Sequence, residues 1–182
     1  MRIAEADILI LPGLGNSLPG HWQARWAEKM RTAAMVEQAE WVEPDPDDWA
    51  DTIVAAVDLA TQPVVLVAHS LGCIALAQAA PRLADGKVRG AFLVVPPDLE
   101  RIGAPDALLD FLPVPRDPLP FPSLLVASAS DPHCSLERGA DLAGAWGSDF
   151  HNAGDAGHIN IQSGHGPWPE GLLMFTRMMQ RL

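Results

Sequence analysis

The stretch Pro63-Val64-Val65-Leu66-Val67-Ala68-His69-Ser70-Leu71-Gly72 decides the fold. Its first six residues are apolar without alternation, the pattern of a strand buried on both faces, as in a parallel sheet. A helical pattern follows from Leu71 to about Leu83. Ser70 stands at the junction, with Ala68 two residues before it and Gly72 two after. Small residues at those positions let strand and helix approach closely, so that a sharp turn can lift a serine hydroxyl clear of the sheet as a nucleophile. Ala68 stands where glycine is usual and keeps the side chain small. The competing reading of Ser70 is a plain helix N-cap, but a cap alone requires neither Gly72 nor Ala68. His69 adjoins the serine and should point away from it. It reads as structural, with its ring satisfied locally, and is kept among the pocket candidates.

Outward from this junction, short apolar runs alternate with amphipathic ones. Strands are expected at Ile8 to Leu11, Ala34 to Ala39, Pro63 to Ala68, Val88 to Val95, Ser123 to Ser128 and Asp149 to Ala153. Helices are expected from His21 to about Ala33, with Trp22, Trp26 and Met30 on one face, and from an N-cap at Asp47-Asp48 with Trp49, Ile53, Val57 and Ala60 on one face. Further helices are expected over Leu71 to Leu83, Ser135 to Trp146 and Trp168 to Arg181. Strands separated by helices imply parallel pairing and right-handed crossovers. The fold class is therefore α/β, a three-layer α/β/α sandwich on a mainly parallel six-stranded sheet, in one domain spanning 1–182. Eight prolines between Pro96 and Pro122 interrupt the rhythm. That segment is an excursion with a helical turn near Asp106 to Phe111. It either walls the site, through Leu108, Leu109, Phe111 and Leu112, or only covers an edge of the sheet.

A serine nucleophile of this kind needs an acid and then a histidine, in that chain order. Ser123 to Ser128 followed by Ala129-Ser130-Asp131-Pro132 places Asp131 just past a strand, although an acid before proline is also ordinary turn chemistry. Gly157-His158-Ile159 places His158 in a loop whose glycines permit a sharp path. His165, between Gly164 and Gly166, is the second choice, His151 lies inside a strand, and His133 adjoins the acid. The oxyanion formed on attack needs preorganised N–H donors. The N–H of Leu71 is one. The loop Pro12-Gly13-Leu14-Gly15-Asn16-Ser17 supplies the other, with Leu14 as the choice because Gly13 lets the chain turn that N–H inward. With strand order 2-1-3-4-5-6, the chain leaves the first and third strands in opposite directions, and such a switch point is where these sheets bind ligands. Gly13, Asn16, His21 and His69 are the pocket candidates. His21 could equally be a helix start, and Trp22 and Trp26 are core. Cys73 and Cys134 read as core filling, with a residual prospect of thiol sensitivity.

Four segments together resemble the small serine hydrolases of the retinoblastoma-binding-protein type, within the α/β-hydrolase superfamily. They are Leu11 to Ser17 with His21-Trp22-Gln23 and Trp26; Ala68 to Gly72; Ser128 to Pro132; and Gly157 to Asn160 followed by Ser163-Gly164 and Gly166 to Gly171. The resemblance implies a cap-less α/β-hydrolase fold and a triad of Ser70, Asp131 and His158. It implies neither a substrate nor retinoblastoma binding. A cap-less pocket should be shallow and suit short acyl groups.

Bulk properties narrow the function classes. The chain has 182 residues, 48% of them hydrophobic, enough for one core. Its formal net charge of −11 repels phosphate backbones and anionic lipid, so neither nucleic acid nor membrane is an expected partner. Two cysteines make no disulfide framework, and the acidic start lacks a leader pattern, so a cytoplasmic location is expected. No apolar run is long enough for a span, and no histidine spacing suggests a metal. A dinucleotide-binding reading of Gly13-Leu14-Gly15 with Glu40 fails at the third glycine, where Leu18 stands. No cofactor is expected. The expectation is an esterase acting on small carboxylic esters, with thioesters or amides as further classes. The alternative is a non-catalytic interaction module on the same scaffold. The oligomeric state is not legible.

Overall fold

The computed structural model describes residues 1–101 and 103–182; Ile102, inside the proline-rich excursion, lies outside the described residues. Six strands form one parallel sheet in the order β2-β1-β3-β4-β5-β6, as the sequence predicts. They are β1 (Asp7–Leu11), β2 (Ala33–Met35), β3 (Val64–His69), β4 (Val88–Val94), β5 (Ser123–Ala127) and β6 (Asp149–Asn152). The helices are α1 (Trp22–Lys29), α2 (Pro46–Leu59), α3 (Leu71–Ala79), α4 (Leu136–Trp146) and α5 (Pro169–Arg181).

Alternate residues of each central strand feed two cores, because side chains change face at every residue. On one face, Leu9, Leu66, Leu93 and Leu125 pack with Trp49, Ile53, Ile74 and Trp146 of α2, α3 and α4. On the other, Ile8, Val65, Phe92 and Val126 pack with Trp22, Trp26, Phe175 and Met179 of α1 and α5. The result is the expected three-layer sandwich. Trp22 and Trp26 belong to the core, in edge contact at 4.8 Å between ring centroids.

Several boundaries differ from the sequence reading, each for a local reason. β2 starts at Ala33 and ends at Met35 rather than spanning 34 to 39. The Val36 N–H still reaches Ile10 O at 2.9 Å, but the next position on β1's side is Pro12, which has no N–H to offer. The cap of α2 is Asp45, not Asp47-Asp48: its carboxylate accepts from the N–H groups of both, and Pro46 takes the first helical position. α3 stops at Ala79 and tightens into a 3-10 turn over Ala80–Arg82, which contains Pro81. The turn expected near 106 to 111 is a 3-10 helix over Asp106–Phe111.

The junction between β3 and α3 is as tight as the small residues suggest. A Cβ on Gly72 would lie 2.4 Å from Leu11 O and 2.6 Å from Pro12 O. The start of α3 thus rests on the end of β1 and brings the loops after β1 and β3 side by side.

Candidate active site

Ser70 occupies the turn between β3 and α3 with φ 53 and ψ −126, a conformation that L residues avoid. Such backbone costs about 1–3 kcal/mol and persists only where the surroundings hold it. They do so here: the Ser70 N–H donates to Val94 O at 2.9 Å, and Ser70 O accepts from Cys73 at 3.0 Å. The side chain makes no cap bond to α3, so the N-cap reading fails and the hydroxyl is free to point elsewhere. It lies 2.9 Å from His158 Nε2. His158 Nδ1 lies 2.9 and 3.0 Å from the two oxygens of Asp131. The three residues expected to work together are therefore joined in one hydrogen-bonded line, with the Asp131 side chain only 2% exposed and that of His158 10%.

The acid and histidine loops are pinned to each other by residues that the sequence reading passed over. Ser128 Oγ accepts from Ala156 N–H at 3.1 Å, and Ser130 Oγ accepts from Gly157 N–H at 2.9 Å. Asp131 Oδ1 also accepts the backbone N–H of His133 at 2.9 Å. The Trp22 indole donates to Ile159 O at 2.9 Å and holds the residue after His158. Gly157 has φ 57, and a Cβ there would meet Ser163 Cβ at 2.6 Å, so this glycine is required both by its backbone and by its neighbour.

Gly13 is needed for a different reason from the expected turn. A Cβ on it would lie 2.8 Å from Ser70 Cβ and 3.2 Å from the nitrogen of Leu71. Close approach, not conformational freedom, demands glycine. It puts Leu14 beside the start of α3. Among the described residues, neither Leu14 N–H nor Leu71 N–H has a protein acceptor. Asn16 sits at φ 64, and its side-chain oxygen accepts from Ser17 N–H at 2.6 Å. Beneath this loop lies Gln23, fully buried. Its amide donates to Leu11 O at 3.2 Å and Val67 O at 3.1 Å, and Ser17 Oγ bonds its oxygen at 2.6 Å. Gln23 thus ties the loop to the ends of β1 and β3. In the sequence, Gln23 stands out only through its place beside Trp22 and within the His21-Trp22-Gln23 segment of the family resemblance.

The other histidines divide plainly. His21 caps α1, its Nδ1 accepting from Gln23 N–H at 3.2 Å. Burial first, then the neighbouring His158 and His165, pushes its pKa down to about 4, so it is neutral. His69 is buried and neutral, its pKa driven far down by burial above all. Its ring is not satisfied locally, as the sequence reading has it: Nε2 bonds the backbone oxygen of His158 at 3.0 Å, across the site. The His21 and His69 rings meet edge to face at 4.9 Å. His165 is not brought to Ser70; its Nδ1 lies 3.2 Å from Ser163 Oγ and its ring stands against Trp168. His151 is exposed on β6. His133 stands edge-on to His158 at 4.6 Å, its pKa lowered by burial first. Cys73 is buried and its thiol pushed well up by that burial; Cys134 is pushed up to about 12 by the same cause. Neither thiol is a nucleophile at neutral pH.

Ser70 and His158 lie where two lobes of a cleft meet. The first, about 260 Å³, is lined by Gly13, Asn16, His21, His69 and Gln162 among others. The second, about 240 Å³, is walled by Leu71, Leu99, Arg101, Pro105, Leu108 and His133. The proline-rich excursion thus does form a wall, but not through all the residues expected. Leu108 faces the lobe, Phe111 is buried against Trp49, and Leu109 is exposed. Among the described residues no group of three or more His, Cys, Asp or Glu could hold a metal, and no helix is long and apolar enough to cross a membrane.

A serine turn, a buried carboxylate and a bridging imidazole on this sheet are the parts of a hydrolase, and the chain belongs to the serine hydrolase family, whose model matches residues 8–177. A YdeN-like hydrolase from Pectobacterium atrosepticum is 32% identical, superposes with a TM-score of 0.84, and aligns over 96% of this chain and 91% of its own. The ydeN gene product of Bacillus subtilis is 21% identical with a TM-score of 0.71, over 96% and 99% of the two chains. A hydrolase of the α/β superfamily from Xanthomonas campestris is 20% identical with a TM-score of 0.64, over 97% and 99%. The last two share the fold. No curated protein matches the chain significantly.

Proposed function

We propose that this hydrolase cleaves small carboxylic esters, and by the same chemistry thioesters or amides, through a covalent acyl-serine. His158 Nε2 takes the Ser70 proton as Oγ adds to the carbonyl carbon. The resulting oxyanion is held by the N–H groups of Leu14 and Leu71, and such donors contribute roughly 3–4 kcal/mol each to the transition state. Asp131 keeps the proton of His158 on Nδ1 and stabilises the imidazolium. Collapse breaks the bond to the leaving alcohol, which departs with the proton from His158. Water, deprotonated by the same nitrogen, then attacks the acyl-serine and releases the acid. Gly13, Asn16, His21 and His69 line the first lobe as substrate contacts, and neutral His21 and His69 add no charge that would compete with His158.

The observation that carries this reading is the unbroken line from Asp131 through His158 to a serine held at φ 53. An interaction module has no need to maintain such a strained residue. Within the serine hydrolase family, the four matching segments support placing the chain with the retinoblastoma-binding-protein type, as one domain over 1–182. Its partner is a small ester, not nucleic acid or membrane, and two free cysteines fit a cytoplasmic setting. The test is intact-mass spectrometry during turnover of p-nitrophenyl acetate. The expected result is a transient acetyl adduct on wild type that is absent from Ser70→Ala. Hydrolysis at the wild-type rate by Ser70→Ala would reject the mechanism.

A further inference from the structure

Among the described residues, Arg101 is the only arginine or lysine lining either lobe of the cleft. Six other cations, Arg2, Lys29, Arg82, Arg116, Arg138 and Arg181, are each paired with a carboxylate. Arg101 is paired with none of the described carboxylates, although the chain carries 23 acids against 12 bases. The carboxylate that lines this lobe, Asp98, is engaged by Arg138 Nε at 3.5 Å and by the Glu100 N–H at 3.2 Å. Among the described residues, the guanidinium of Arg101 makes one bond, from Nη2 to His133 Nδ1 at 3.3 Å. His133 is fixed in turn by its backbone N–H on Asp131 and by its ring against His158. One donor of five is thereby spent on holding the cation beside the reacting groups, and the fork is left open.

We propose that the second lobe is a carboxylate subsite, in which Arg101 binds the carboxylate of a short ester whose scissile carbonyl sits over Ser70. This rests on the esterase reading above and names its substrate class. A planar guanidinium matches a carboxylate through two parallel bonds. The lobe's other walls, Leu71, Leu99, Ala104, Pro105 and Leu108, suit the methylenes between the two groups. A net charge of −11 gives anions no general attraction to this chain, so the preference is made by contact with this one side chain.

The experiment compares ester pairs in which one member carries a free carboxylate and the other a neutral group in its place, with rates counted per ester group and followed by pH-stat. Monomethyl and dimethyl glutarate carry the difference on the acyl side; 4-acetoxybutanoate and butyl acetate carry it on the alcohol side. Wild type is expected to favour the anion of one pair by roughly 10–100-fold in kcat/KM, the range of a charge-assisted bond. Whichever pair shows it assigns the lobe to the acyl or the alcohol part. Arg101→Gln should bring that ratio to one or below, and Arg101→Lys, which keeps the charge without the fork, should retain part of it. Turnover of neutral esters with no anion preference, or a preference that survives Arg101→Gln, overturns the subsite and leaves the hydrolase reading standing. So does failure on all four esters by a protein whose Ser70 still reacts with a fluorophosphonate. Failure on all four without such labelling overturns both.

Discussion

Replacing Gly13 by alanine puts a methyl carbon 2.8 Å from Ser70 Cβ and 3.2 Å from both His69 O and Leu71 N. Carbon pairs rest at about 3.5–4.0 Å, so the loop and the serine turn must part by about 0.7 Å or more. Neither side yields easily. The serine turn is tied to β4 through Val94, and the loop is tied to α1 through Ser17 and Gln23. The displacement falls on the serine and on the proposed oxyanion donors on both sides of it. A misplacement approaching 1 Å costs about 100-fold in rate, while overpacking of this kind costs about 1–3 kcal/mol of stability. At this chain length that is a fall of roughly 2–12 °C in Tm. The assay is kcat/KM on a short-chain ester beside a thermal melt by circular dichroism. Gly144→Ala is the control: nothing lies within 4 Å of the added carbon in α4, and alanine there should raise stability by about 0.5–1 kcal/mol. Full activity in a folded Gly13→Ala would refute the packing of this loop against the serine.

Asp131→Asn should leave the fold intact and lower kcat by about 10³–10⁴-fold, because the amide no longer enforces the required tautomer of His158; the check is single-turnover kinetics with a melt. Gln23→Leu leaves the Leu11 and Val67 carbonyls and the Ser17 hydroxyl without their partner, and is expected to cost about 2–4 kcal/mol in urea titration. Stability should fall as the pH drops from 6.5 towards 4: His21, with its pKa lowered to about 4, binds a proton more readily unfolded than folded, and His69 shifts in the same direction. His21→Gln should flatten part of that fall in melts taken across this window. Cys73 should resist alkylation by iodoacetamide at pH 8 in the native protein and react only in denaturant, read by peptide mass.

The sheet is legible because β3 as far as Ala68 and β4 from Gly90 onward are continuous runs without a polar side chain, and the helices between strands keep their period. What the sequence hid is pairing at a distance. That β2 is only three residues long depends on Pro12, which lies just past the end of the neighbouring strand β1. That the His69 ring belongs to the His158 backbone, 89 residues away, follows from the curl of the last loop over the sheet, which no local pattern encodes. Ser70, Asp131 and His158 can be picked out because each sits in a turn or loop that follows a strand, with small residues around it. Ser128, Ser130 and Gln23, which position them, carry only the ordinary signature of a polar residue near a turn or a helix start. In the sequence Gly13 reads as a flexible turn residue, whereas the structure needs its missing Cβ. His165 and His158 share a glycine-flanked setting in sequence, and only the path of the chain over Trp168 separates them.

The central claim is that Ser70 is a nucleophile activated by His158, and labelling with a fluorophosphonate probe tests it most directly. Wild type should form one adduct, located on the Ser70 peptide by mass spectrometry. Ser70→Ala should form none, and His158→Ala should label at least about 1,000-fold more slowly. His165→Ala should label like wild type. A folded wild type that does not label, or a His158→Ala variant that labels at full rate, would contradict the account.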